Sequence, residues 1–131
     1  MDVESALADL TEISAQVESA VVVAGDGSVL ASTFAGDEQA RRLAQIGLDL
    51  LAAGADVGPT GDHRLTQVEV ALRRASVFVV RDGEYALVAI VAAGSPSGLV
   101  LYDLRSCLRA INEPKRPARR GRTSTKTTAD A

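Results

Sequence analysis

Few residues in this chain have the types and spacing that chemistry needs. His63 and Cys107 are the single histidine and the single cysteine of 131 residues. No His/Cys cluster therefore exists for zinc or for nucleophilic catalysis. Cys107 falls on an apolar stripe at helical spacing, where a thiol behaves as a small core residue. His63 sits in a polar stretch, Gly58 to Arg64. Its default is a solvated loop histidine, and its sharper reading is a pH-sensitive contact. Gly25-x-Gly27 has the look of a phosphate loop. A strand pattern follows it, so no helix N-terminus is in place to meet a phosphate. No Walker-type Gly-Lys-Ser/Thr is present, so the chain does not bind nucleotide as a GTPase does. The residues predict no catalytic site, no metal and no cofactor.

Composition sets the frame around these residues. Hydrophobic residues make up 47% and aromatics 3%, and Trp is absent, so the core is built of Val, Leu, Ile and Ala. The length suits one domain with a modest core. A lone cysteine fits a reducing compartment. No stretch is long and apolar enough to span a membrane and no signal peptide opens the chain, so the expected location is cytoplasmic. The net charge of −3 hides a split. From Glu113 onward six Lys or Arg face two acids, a net of +4, which leaves −7 on the body. Residues 1–112 read as the domain. Residues 113–131, rich in Pro, Thr and Arg without apolar periodicity, read as a disordered basic tail.

The elements follow from pattern. Residues 3–17 repeat apolar positions at three and four, as an amphipathic helix does. Residues 20–24 are a continuous apolar run, and Gly25 to Ser28 is turn chemistry. Residues 29–33 return as a weaker strand. Asp37 to Val57 reads as one long helix, with Asp37 as cap and Gly58-Pro59 as stop. Residues 65–72 alternate, 75–80 and 85–92 are continuously apolar, and Asp82-Gly83 joins the last two as a hairpin. Ser95 and Pro96 open a final helix that Pro114 closes. The three continuous runs belong in the middle of a sheet and the two weaker strands at its edges. The expected fold is α+β, an α/β sandwich with element order α-β-β-α-β-β-β-α. Its antiparallel sheet has strand order 2-1-5-4-3, with the long helix on one face and two helices on the other.

The long helix carries the functional signal. Stepped at about 100° per residue, Ala40, Leu43, Ala44, Gly47, Leu50, Leu51 and Gly54 share one face, and Ile46, Ala53 and Val57 widen it on one flank. The apolar arc spans roughly 220°, where little more than ~100° serves a helix on a single core. Two readings stand: a helix sunk deep in its own domain, or a helix with two apolar neighbours, one of them another chain. One helix about 10–12 Å across also cannot cover a five-stranded face whose strands lie about 4.8 Å apart. Arg41, Arg42, Gln45 and Asp49 form the polar remainder, either a solvated strip or a docking surface for a partner.

At this point the chain resembles the roadblock/LC7 (dynein light chain) domain family, of the bacterial type associated with small GTPases. The likeness runs over residues 3–112 and rests on the element order and four stretches. These are VVVAGDGSVLAS, RRLAQIGLDLLAAG, VFVVRDGEYALVAIVA and SGLVLYDLRSCL. None is a catalytic signature. The resemblance implies a homodimer or heterodimer that pairs third strands into one sheet and lays second helices side by side. The matching positions are Leu65 to Leu72, with Thr66, Val68 and Val70 among them, and Ile46, Leu50 and Ala53, with Val57 on the same flank. It implies a non-enzymatic regulator or scaffold of a Ras-like small GTPase, one that can modulate GTP hydrolysis without inserting a catalytic residue. The docking strip would then be Arg41, Arg42, Gln45 and Asp49, lying over the dimer midline.

A second class stays open: a ligand-sensing or signalling adaptor of longin, profilin or PAS-like type, without a GTPase partner. Such a module needs an apolar pocket with a few polar groups, and the sequence offers few residues to line one. An enzyme is a distant third. The basic tail lies outside the family pattern. Its readings are a solubilising end, a weak polyanion contact through Lys115 to Arg122, and a reversible contact with the acidic body or an acidic partner.

Overall fold

The computed structural model describes residues 1–57 and 67–113. His63, Leu65 and Thr66 lie outside the described residues, as do Gly58-Pro59 and the tail from Pro114, including Lys115 to Arg122. The elements run α1 (Val3–Ile13), β1 (Val17–Val23), β2 (Val29–Ser32), α2 (Asp37–Ala55), β3 (Gln67–Ala71), β4 (Ala75–Asp82), β5 (Tyr85–Ala92) and α3 (Ser97–Asn112). The sheet is antiparallel with order β2-β1-β5-β4-β3, as the burial argument expects.

The alternation of side chains across the sheet sorts the core into two layers. Ala20, Val22, Phe78, Leu87 and Ala89 point to the face that α1 and α3 cover together, packing against Leu7, Leu10, Leu104 and Leu108. Val21, Val23, Val79, Ala86 and Val88 point to the opposite face, where α2 lies alone with Ala40, Leu43, Ala44 and Leu51. The absence of Trp and the scarcity of Phe leave Phe78 as the one large aromatic side chain fully buried among the described residues. Volume is filled instead by valines of β1, β4 and β5 and by leucines that come, Leu87 apart, from the three helices.

Element ends differ from the sequence expectation for local reasons. The apolar period of α1 carries on to Val17, but the helix stops at Ile13. Ser14 takes an extended conformation (φ −116°, ψ 95°) while its N–H still reaches Leu10 O. Val17 then pairs with Val91 as the start of β1. Asp2 caps α1, its Oδ1 accepting from the Ser5 N–H at 2.8 Å. At α2 the cap position belongs to Gly36, and Asp37 is the first helical residue; no side chain caps this end. Asp37 and Glu38 still oppose the helix dipole from inside its first turn. Ser95 does not cap α3. Its Oγ donates to Ala92 O at 2.7 Å, Pro96 holds the cap position, and the helix starts at Ser97. Ser97 Oγ donates to Glu69 Oε2 at 2.7 Å, which ties α3 to β3 and brings a carboxylate to the helix start.

Every described element ends by Asn112. Lys115 to Ala131 holds no apolar side chain larger than Ala or Pro that could anchor in a core, so deleting it is expected to change Tm by less than about 4 °C, as a contact worth under ~1 kcal/mol would. Differential scanning calorimetry checks this; a larger loss would make the tail part of the fold.

Candidate functional site

α2 is held close to the sheet by one glycine. A Cβ placed on Gly47 would lie 3.2 Å from Val88 Cβ and would run into the Val88 Cγ atoms. Val88 is fully buried in the middle of β5. Gly47 thus sets the height of α2, and with it the height of every side chain on the outer face of that helix. On one side Leu48 reaches toward the β1–β2 turn, where a Cβ on Gly27 would sit 3.6 Å from its Cδ1. Ile46, about 200° around the helix from Leu48 at 100° per residue, lies on the flank toward the β4–β3 half of the face.

That half is under-covered. Ile46 is 43% exposed and Val57 85% exposed, and Ala53 is exposed as well. Leu50 is half-buried and packs on the sheet layer. On the strands, Val68 and Val70 of β3 are half-buried. So are two residues that the sequence does not single out, Val77 of β4 and Ile90 of β5. These two pair across the ladder, and Val70 pairs with Val77. Leu72, just past β3, is 57% exposed. The patch thus joins the flank of α2 to the open end of the sheet and reaches the outer edge at β3. Thr66, expected at the same edge, is among the residues not described. In a core of continuous apolar runs, half-buried valine and isoleucine on central strands mark a face that the described residues do not close.

The four polar candidates stand together on the solvent side of α2. Arg41, Arg42, Gln45 and Asp49 are all exposed. Gln45 Nε2 donates to Asp49 Oδ1 at 2.9 Å, one helical turn apart, which fixes both side chains along the helix axis. Arg41 also lines an open groove of about 490 Å³ between the start of α2 and β2, with Leu30, Ser32, Phe34 and Asp37. The strip thus continues from the helix onto the edge of the sheet.

Other candidates for chemistry are spent on structure. In the β1–β2 turn Asp26 Oδ1 accepts from the Ser28 hydroxyl at 2.6 Å and from the Ser28 N–H at 3.0 Å. The hydroxyl first, and then the N–H, hold the Asp26 carboxyl below its usual range. Those donors, which a phosphate would need, already serve a carboxylate. Cys107 is 7% exposed and its thiol donates to Ala6 O at 3.4 Å. Burial, and then the charge of Asp9, push its pKa up to about 11, so it stays protonated and unreactive near neutral pH. Among the described residues no group of three or more His, Cys, Asp or Glu could hold a metal ion. No described helix is long and apolar enough to cross a membrane.

Comparison with known proteins follows the same lines. No curated protein matches the chain in sequence. Among solved structures, the Roadblock/LC7 domain from Streptomyces avermitilis superposes with a TM-score of 0.75 at 20% identity, covering 85% of this chain and 95% of that one. Myxococcus xanthus MglB gives a TM-score of 0.61 at 16% identity, covering 79% and 83%. The gliding protein MglB from Thermus thermophilus gives 0.60 at 19%, covering 82% and 83%. At these identities the likeness is one of fold. The sequence itself is matched by the model of the Roadblock/LC7 domain over residues 5–92, and the chain belongs to that family.

Proposed function

We propose that the protein is a non-enzymatic, dimeric regulator or scaffold of a Ras-like small GTPase in the cytoplasm. The observation that carries this reading is the apolar patch joining Ile46, Leu50 and Val57 to Val70, Val77 and Ile90. A second copy laid α2 against α2 would cover it, and pairing of the β3 edges would continue the sheet across the two chains. Arg41, Arg42, Gln45 and Asp49 would then form one polar ridge across the midline, presented twice. A GTPase docked there would touch both copies. Family membership and the fold shared with MglB support the GTPase as partner. Mixed charge on the ridge would govern orientation and association rate more than affinity.

No arginine finger is marked by motif, so any acceleration of GTP hydrolysis would come through repositioning of the GTPase's own groups. Arg41 and Arg42 are the side chains to test against that statement. Changing Arg41, Arg42 and Asp49 together to Ala is expected to weaken binding of the GTP-loaded GTPase at least tenfold. The dimer should stay intact, since surface changes of this kind rarely unfold a protein. Calorimetric titration with the GTPase found by co-purification measures the first, and sedimentation the second. Single arginine variants separate docking from catalysis: lost binding at unchanged hydrolysis rate means docking, and lost rate at unchanged binding means a finger. A triple variant that binds as tightly as the parent would move the docking surface off α2.

A further inference from the structure

On the far side of the sheet from α2, α1 and α3 run antiparallel and leave a shallow groove of about 180 Å³ between them. Its floor is apolar: Ala6, Leu10 and Cys107 are all buried. Ile13 stands over one end, 67% exposed, and Met1 over the other, 50% exposed. Among the described residues that line it, the charged groups are the carboxylates of Asp9 and Asp103 and the amino group of Met1, which donates to Ala110 O at 3.4 Å. α1 contributes no Lys or Arg anywhere along Val3–Ile13. The groove is therefore an apolar slot with an acid on each helix and, among the described residues that line it, no basic side chain to answer them; Arg105 and Arg109 of α3 lie outside the lining.

A basic segment of the same chain begins at its mouth. Ala110 lines the groove, and α3 ends two residues later at Asn112. The stretch that follows, Pro114 to Arg120, reads PKRPARR and carries four positive charges. From Ala110 back to Asp103 the helix rises by about 10 Å at 1.5 Å per residue. An extended chain at roughly 3.3 Å per residue covers that in three or four residues, so 115–120 span the slot. Pro114 and Pro117 favour the extended polyproline conformation and lower the entropy lost on docking. The guanidinium group is matched in shape to a carboxylate, and the proline rings and Ala118 suit a floor of Ala, Leu and Cys.

We propose that the α1–α3 groove is a docking site for an extended Pro- and Arg-rich segment, and that its occupant is residues 114–120 of this chain. The contact is electrostatic and weak. A tether this short holds the segment at an effective concentration on the order of millimolar, so a millimolar intrinsic affinity leaves the groove about half occupied. Such a contact leaves thermal stability nearly unmoved and responds to salt, because exposed pairs are screened within about 10 Å at 0.1 M. It depends on neither the dimer nor the GTPase, since it uses the face opposite α2.

The test compares amide NMR spectra of the full chain with those of the full-length Arg116→Glu/Arg119→Glu/Arg120→Glu variant. The resonances of Asp9, Ile13, Asp103 and Ser106 are expected to shift together in the variant. In the parent they are expected to move the same way when NaCl is raised from 0.05 to about 0.5 M, beyond the Debye range. A synthetic peptide of residues 114–131, added to the triple-Glu variant, should restore them. In an Asp9→Asn/Asp103→Asn background the peptide should lose at least fivefold in affinity. Shifts confined to Asn112 and Glu113, or peptide binding unaffected by the two Asn substitutions, would overturn the proposal.

Discussion

Ile46→Asp is expected to turn a dimer into a folded monomer. Ile46 is 43% exposed in the single chain, so a carboxylate there stays hydrated and does little harm to the protomer. In the proposed dimer the same position is buried against its counterpart. A two-fold interface repeats the substitution, so two unpaired carboxylates are desolvated close together, at several kcal/mol or more. One kcal/mol changes a dissociation constant about fivefold, and ~5 kcal/mol moves a micromolar dimer far beyond working concentration. Leu50→Asp should dissociate the dimer too, but it also strips a half-buried contact from the protomer's own layer and should lower Tm of the monomer. The pair of variants therefore separates interface from core. Sedimentation equilibrium gives the mass and circular dichroism the fold. A compact monomer for the unmodified protein at micromolar concentration would end the dimer proposal.

Gly47→Ala should destabilise the fold even though Ala is the better helix former. Within a helix the change gains roughly 1 kcal/mol from propensity. Against that, the new methyl meets Val88, which is fully buried and has no room to retreat. Overpacking of this kind costs about 1–3 kcal/mol. The balance is a net loss of up to about 2 kcal/mol, which for a domain of this size is a fall in Tm of several degrees. Val88→Ala alone should also destabilise, by opening a cavity. Combined with Gly47→Ala it should do less damage than the sum, because one methyl enters the space that the others leave. Urea unfolding of the four proteins measures the coupling. A Gly47→Ala variant more stable than the parent would mean that α2 sits higher than described.

The strand order was legible because burial on both faces writes itself as unbroken apolar runs, and 20–24, 75–80 and 85–92 have them. The pairing of α1 with α3, and the solitary position of α2, followed from the need to cover both faces. What escaped was set by tertiary contact. Val17 continues the helical period of α1, yet its backbone pairs with Val91, and nothing in the local pattern reveals a partner so far along the chain. Ser95 has the type of a cap, but its hydroxyl reaches Ala92 O in the turn first. Within YALVAIVA, Ile90 looks the same as Val88. One is covered by α2 and the other only half covered, a difference fixed by where Gly47 seats the helix. The polar strip was legible as a strip, since angular stepping is enough to find it; its role rests on what docks there.

The two borders of the sheet differ, and the difference governs how far assembly can proceed. β3 keeps an unbroken register with β4 over all five of its residues. β2 is four residues long, its register with β1 slips between Val22 and Val23, and Thr33 Oγ1 takes the place of a carbonyl in accepting the Ala20 N–H. One border is thus regular enough to template a strand, while the other is short and irregular, the form in which natural proteins leave a border that must stay single. In the proposed dimer the regular borders consume each other about a two-fold axis, and only the blunted ones face outward. Growth stops at two sheets, so a protein built of aliphatic strands with an open face can remain a closed particle and avoid becoming a fibre.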